Sequence, residues 1–257
     1  MTESAEGFVL REIRYGDNGS IVKIYTKDKG LRSFFVKGVR PSGASVGRSS
    51  RHRQGKAGLF PFLELEFTYV ERRESQTLYT LRQFRPSGLA QRLYGDVTKV
   101  CMLTFLAEML SKCLAEGQAD DALYGYIAYF VQRLDAAEKP YGHYHVWFLL
   151  TLCRYLGCYP QVAEVLPDAP GLRFDLQDGV FCRMPVGTVA QNPLSGTEAA
   201  AALYRLLSEP DRAEESLRRM GNTERQSLLH LLVQYYTVQF SLPEIKSYAV
   251  LREVYNL

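Results

Sequence analysis

The chain has 257 residues, 46% of them hydrophobic and 23% charged, and a net charge of +3. These proportions suit a globular protein with a sizeable core and exclude a low-complexity chain. No apolar run reaches the roughly 20 residues of a bilayer-spanning helix, residues 1–15 carry charges where a signal peptide needs an apolar core, and five scattered cysteines make no disulfide framework, so a cytosolic protein is expected.

The net charge conceals an asymmetry. Residues 1–85 hold 16 Lys/Arg against 9 Asp/Glu, while residues 86–257 hold 15 against 19. A basic first third on a mildly acidic remainder predicts two functional units, the first with an anionic partner.

The first unit reads as strands. Gly7–Tyr15 is β-rich up to the turn Gly16-Asp17-Asn18-Gly19. Ser20–Thr26 and Leu31–Gly38 follow, separated by a Lys-Asp-Lys-Gly turn. Leu63, Leu65, Phe67 and Tyr69 then alternate with Glu64, Glu66, Thr68 and Val70, a period of two. Thr77–Phe84 supplies a fifth strand. Five short strands with one long loop, 39–60, predict a small barrel of the OB type over residues 1–85.

Residues 86–257 read as a helical domain, giving an α+β chain. Asp96 or Thr98 caps a helix to about Leu114, and Asp120 or Asp121 opens another to about Ala137. Pro140–Leu156 is the most apolar segment and reads as the central helix, stopped by Gly157 as a C′ glycine. In the irregular stretch 158–196, Leu172–Asp175 and Val180–Arg183 flank Asp178-Gly179, a hairpin signal. Thr197–Leu207 and Thr223–Phe240 are further helices, and Leu242–Leu257 ends in a short amphipathic stretch.

From Lys29 to Phe62 there is no Asp or Glu, but there are eight cations: Lys29, Arg32, Lys37, Arg40, Arg48, Arg51, Arg53 and Lys56. On an OB-type barrel such a stretch predicts contact with nucleic-acid phosphates, an interaction largely blind to base sequence. Arg11 and Lys23, on neighbouring strands, join it. Lys29 and Arg32 also lie close enough to Asp28 to pair with it or face away. With about five phosphates of a single strand engaged, log K falls with log salt at a slope near −3.5. Tyr15, Tyr25, Phe34, Phe35 and Phe62 lie near the cations. Phe34 and Phe35 are consecutive on one strand, so one enters the core and the other is free to stack on a base.

Catalytic signals are absent. There is no Walker A sequence and no Gly-x-Ser-x-Gly elbow. Glu64 and Glu66 read as partners for nearby arginines. His143 and His145 are two apart on a helix, on roughly opposite faces, and Cys153 and Cys158 lie five apart, too far for a Cys-x-x-Cys pair. No catalytic residue, cofactor or metal site is expected.

The order of several segments resembles the bacterial recombination-mediator family RecO. They are Glu6–Arg11, Tyr15-Gly16-Asp17, Ile21–Thr26, Gly30, Val36–Arg40, Leu59–Phe62 with Leu65-Glu66, Phe148–Tyr159, and Lys246-Ser247 with Leu251. The resemblance spans the chain. It implies an OB-fold followed by a helical domain, a bacterial cytoplasmic and nucleoid-associated location, and a non-enzymatic role in recombinational DNA repair. It also implies binding of single- and double-stranded DNA, annealing of complementary strands, contact with the acidic tail of single-stranded-DNA-binding protein (SSB), and loading of RecA together with RecR, with RecF a further partner. Lys37 and Arg40 fall in the recognisable Lys-Gly-x-Arg pattern. The resemblance places the SSB-tail groove in the helical domain, where Lys112, Arg133 and Arg154 are candidate flanking charges. Val146 and Trp147 stand where other members carry arginines. Many members also hold zinc with two Cys-x-x-Cys pairs. Here Gln161–Gly171 contains no cysteine and the second pair keeps only Cys182, so one of four ligand positions survives and no zinc is expected.

An OB-fold protein of structured RNA is the alternative, distinguished by a preference for the 2′-OH. A nuclease is disfavoured by the lack of clustered carboxylates.

Overall fold

The computed structural model of the chain describes residues 2–17, 19–37, 59–71, 77–87, 92–162, 171–183 and 192–255. The chain divides into two compact units, Met1–Gly125 and Tyr126–Leu257.

In the first unit the period of two closes into a barrel. Strands β1 (Thr2–Tyr15), β2 (Gly19–Thr26), β3 (Gly30–Lys37), β4 (Glu64–Val70) and β5 (Leu78–Pro86) run round it in the order β1-β2-β3-β5-β4, with β4 pairing back onto β1. Only β3 and β5 pair in parallel. This is the five-stranded OB arrangement that the alternation predicts. Every second residue turns inward, and Val9, Val22, Ile24, Phe34, Leu65, Phe67, Tyr69, Tyr79 and Leu81 form the core. The Phe34 ring sits at its centre, 5.0 Å from Phe67 and 5.4 Å from Tyr69.

β1 begins five residues before its apolar pattern. Thr2–Glu6 are mostly polar, yet they pair with β4 from Thr2 opposite Val70 to Glu6 opposite Glu66. Backbone pairing recruits them, not side-chain burial. A bulge between Val9 and Arg11 then changes the strand's direction. Pairing with β4 ends at Phe8, and Arg11–Tyr15 continue as an exposed hairpin with β2.

Helix α1 (Val97–Cys113) is capped by Asp96, whose carboxylate accepts from the N–H groups of Thr98 and Lys99. It packs on β1 and buries Met102, Phe105, Leu106, Met109 and Leu110, the predicted face. The chain then returns to β3. Pairing with β5 begins only at Ser33, which leaves Leu31 available. Leu31 bridges to Glu116, and the Gly117 N–H donates to the Leu31 carbonyl at 3.0 Å. Gly30 is required here on two counts: its φ is +64°, and a Cβ would stand 2.0 Å from the Gln118 carbonyl oxygen. Helix α2 (Asp121–Ala136) follows, with Asp120 accepting from the Leu123 N–H.

The second unit is built round α3 (Tyr144–Tyr155), in which Tyr144, His145, Val146, Phe148, Leu149, Leu150, Leu152 and Cys153 are all buried. That is the central helix the sequence predicts, starting four residues later and ending before Gly157, whose φ is +71°. Helix α6 (Asn222–Gln239) lies against it, and Tyr236 donates to the Leu149 carbonyl at 2.8 Å. Helix α4 (Thr197–Ser208) packs on α6, and α7 (Lys246–Val254) forms the amphipathic tail. Helix α5 (Ala213–Arg219) has no counterpart in the sequence reading. It buries only Ala213 and Leu217, too little for a helical period to show.

The predicted hairpin is present as β6 (Leu172–Asp175) and β7 (Val180–Arg183). Phe174 packs 5.0 Å from Phe181 and 5.1 Å from Tyr235, and the Asp175 carboxylate accepts from the N–H groups of Gln177 and Asp178. Aromatic packing and this turn hold the hairpin. Cys182 lies on β7, and residues 163–170 and 184–191 are outside the described residues.

Candidate nucleic-acid interface

Strand register decides which side chains of β1, β2 and β3 share the outward face. The first row across it is Arg11, Lys23 and Ser33; the second is Ile13, Ile21 and Phe35; the third is Tyr15, Gly19 and Lys37. These are cross-strand neighbours, so each row is contiguous. The face therefore carries an apolar and aromatic centre with cations on either side. Phe35 and Tyr15 meet edge to face at 6.3 Å, and Tyr15 is 59% exposed. The Phe35 ring rests across Gly19, where a Cβ would stand 2.4 Å from its Cε2. Glycine at 19 is what lets the ring lie down on the sheet.

The aromatic ambiguity is thereby resolved. Phe34, Tyr25 and Phe62 are buried, whereas Phe35 and Tyr15 face outward. Burial also pushes the Tyr25 hydroxyl up to about 12. Beyond the basic loop, Phe60 is exposed and stacks on Tyr94 at 5.0 Å.

The predicted DNA-contacting residues separate. Arg11, Lys23 and Lys37 come together on the outward face. Arg11 and Lys37 are exposed and have no ion-pair partner among the described residues, while Lys23 has a 3.6 Å contact with Glu116. Arg32 lies elsewhere. It sits opposite the core residue Ile24, donates to the Tyr79 hydroxyl at 2.8 Å and to the Lys29 carbonyl, and stacks 5.5 Å from the Tyr79 ring. Lys29 pairs with Glu3 and Glu71, not with Asp28. Arg40, Arg48, Arg51, Arg53 and Lys56 lie outside the described residues. Two cations escaped the sequence reading. Arg14 is exposed in the β1–β2 hairpin, and Arg82 follows Leu81, the partner of Val36, which puts it level with Lys37. Parity along β5 was the signal for Arg82, whereas Arg14 has the opposite parity to Arg11, Ile13 and Tyr15 and is exposed in the hairpin without joining their rows.

Glu66 is the arginine partner expected, accepting from Arg85, whereas Glu64 accepts from the Tyr124 hydroxyl. Among the described residues no group of three or more His, Cys, Asp or Glu side chains is arranged to hold a metal ion. His143 and His145 are buried. Desolvation, reinforced by the Arg225 charge, pulls His143 down to about 4 and His145 to about 3.

In the second unit a groove of about 410 Å³ is lined by Tyr126, Tyr129, Trp147, Leu150, Arg154, Tyr155 and Tyr159. Arg154 lies 4.6 Å over the Tyr159 ring and donates to its hydroxyl. Arg133 lies over Tyr129 and Trp147 and pairs with Glu214. Lys112 belongs to the first unit, where it pairs with Glu108. Val146 is buried, while Trp147 faces the groove.

No helix among the described residues is long and apolar enough to cross a membrane. Residues 1–89 match the family model "Recombination protein O N terminal" and residues 94–249 match "Recombination protein O C terminal". The chain is 29% identical to the DNA repair protein RecO of Christiangramia forsetii, over 98% of each chain. It is likewise 29% identical to that of Phocaeicola vulgatus and 25% identical to that of Bacteroides fragilis, both over 100% of each chain. An OB barrel with a cationic, aromatic outward face, continuous with a helical region that matches the same family, leaves one conclusion: the chain belongs to the RecO family of DNA repair and recombination proteins.

Proposed function

We propose that the protein is a non-enzymatic recombination mediator that binds single- and double-stranded DNA on the outward face of β1, β2 and β3. The observation that carries this reading is the placement of Phe35, with Tyr15 against its ring, in the row between those of Arg11 and Lys37, cations without an ion-pair partner among the described residues. Bases stack on aromatic rings whatever their identity, and flanking cations neutralise the phosphates on either side. Arg40, Arg48, Arg51, Arg53 and Lys56 follow β3 in the sequence and add five cations to the reading on charge alone. Annealing needs no nucleotide hydrolysis. Neutralising two backbones lowers the repulsion between complementary strands.

Contact with the SSB tail belongs to the same reading. An acidic peptide ending in apolar residues suits a groove of aromatic rings with arginine at its border. The groove with Trp147, Tyr159 and Arg154 has that chemistry, with Arg133 beside it. Joint action with RecR in loading RecA on SSB-coated DNA, with RecF a further partner, is the part of this reading that the family resemblance supports.

Fluorescence anisotropy with labelled oligo-dT across a salt series tests the DNA reading. The expected slope of log K against log salt is near −3.5 for about five phosphate contacts. Arg48/Arg51/Arg53→Ala is expected to weaken binding and flatten the slope; equal binding removes the loop from the site. Tighter binding to oligo-U than to dT of equal length favours an RNA partner instead. An SSB-tail peptide is expected to lose affinity for Trp147→Ala and Arg154→Ala without displacing dT.

A further inference from the structure

The first row of the outward face is already occupied by an acid from elsewhere in the chain. β3 lies in the stretch that has no Asp or Glu of its own, yet Glu116 reaches it from the segment after α1. The Glu116 Oε1 stands 3.6 Å from the Lys23 ammonium and accepts from the Ser33 hydroxyl at 3.4 Å. An ammonium and a hydroxyl converging on one anionic oxygen are donors suited to a phosphate. The segment is held by its backbone: Glu116 bridges to Leu31, the Gly117 N–H donates to the Leu31 carbonyl, and the Tyr25 hydroxyl donates to the Asp120 carbonyl. The Glu116 carboxylate is thus kept at this row rather than visiting it. From Cys113 to Gln132 the chain has three acids and no Lys, Arg or His, and the Arg32 guanidinium, which lies beside Gly117, donates to the Tyr79 hydroxyl and the Lys29 carbonyl. Both contacts are long, and Lys23 and Glu116 are 31% and 45% exposed, so the pair is weak enough to exchange.

We propose that Glu116 is an intramolecular phosphate mimic. It holds the Lys23–Ser33 end of the face closed to nucleic acid, and a strand that extends along the face displaces it. Glu116 then lowers affinity and removes one phosphate contact from the salt dependence. The inference rests on the DNA-binding reading above.

The test uses the full chain, labelled oligo-dT and a salt series, with Glu116→Gln, Lys23→Ala, the double variant, and Phe35→Ala as a reporter of the face itself. Glu116→Gln keeps the side-chain shape and removes the charge. It is expected to bind several-fold more tightly at 50 mM salt, with a slope steeper by about 0.7, one further contact. Lys23→Ala alone is expected to change little, because Lys23 is already neutralised. In the Glu116→Gln background the same substitution is expected to cancel the gain. If Glu116→Gln binds like wild type while Phe35→Ala binds weakly, the mimic is overturned and the face stands. A fall in melting temperature of Glu116→Gln without tighter binding likewise reduces Glu116 to a structural contact and overturns the proposal. If neither Phe35→Ala nor Glu116→Gln changes binding, the face is not the DNA site and both readings fall.

Discussion

At the end of the barrel where β2 turns into β3, each described cation has a partner. Lys27 pairs with Glu6, Lys29 pairs with Glu3 and Glu71, and Arg32 stacks on Tyr79 while donating to its hydroxyl. At the opposite end, where β1 turns into β2 and β3 finishes, Arg11, Arg14 and Lys37 have no ion-pair partner among the described residues. Both sets belong to one small barrel, and each has three cations. What differs is the counter-charge. At the first end the early residues of β1 and the end of β4 bring Glu3 and Glu71 alongside, and the cations serve the fold. At the second end the bulge carries β1 away from β4, and among the described residues neither Glu12 nor Asp17 of the hairpin forms an ion pair with these cations, which leaves them to an external anion.

Substitutions can break this comparison, and the largest effects belong to the open end. Arg11→Ala and Lys37→Ala are each expected to lower oligo-dT affinity about tenfold at 50 mM salt, as the loss of one single-strand phosphate contact implies. The deficit should shrink as salt rises. Equal affinity of the double variant at low salt would remove the open end from DNA binding.

Phe35→Ala is expected to cost about 1–3 kcal/mol of binding by loss of base stacking. Its salt slope should stay unchanged, because no charge is lost. A changed slope would mean that the ring acts by positioning Lys37 rather than by stacking.

The closed end should respond in stability instead. Arg32→Ala removes a hydrogen bond and a cation–π contact on the core residue Tyr79, worth about 1 kcal/mol together. A urea titration should show the lower midpoint, while oligo-dT affinity and slope stay as in wild type. A loss of affinity equal to that of Arg11→Ala would erase the distinction between the two ends.

The smallest effect is a pH dependence. The hydrogen bond from Lys29, with that from Tyr69, lowers the Glu3 carboxyl from its ordinary value to about 2. A carboxylate with a depressed folded pKa contributes stability above its unfolded pKa, near 4.5, and loses it as pH falls toward about 2. Thermal melts of Glu3→Gln should therefore show a shallower loss across that window. An unchanged profile would mean that the pair is as strong in the unfolded chain.

Much of the fold was legible because periodicity is a local signal. The inward residues of β4 and the apolar face of α1 follow from spacing alone. The hairpin at Asp178-Gly179 follows from turn chemistry. Thr2–Glu6 and α5 were not legible: the first is recruited by a backbone ladder, and the second buries two side chains. The shared face of the candidate cations was not legible. Arg11, Lys23 and Lys37 meet on one face, Arg32 does not, and the parity that includes Tyr15 and Phe35 becomes decisive only once the register is known.

By itself the sequence determined that a β-barrel precedes helices and that the cations are concentrated in the first 85 residues. Those conclusions need only spacing and charge. Tertiary structure decided which cations are spent within the fold and which are left, because their acids lie far away in sequence. Glu71 is 42 residues from Lys29, and Glu116 is 83 residues from Ser33. No local pattern records a partner at that distance. The barrel's closure puts it there.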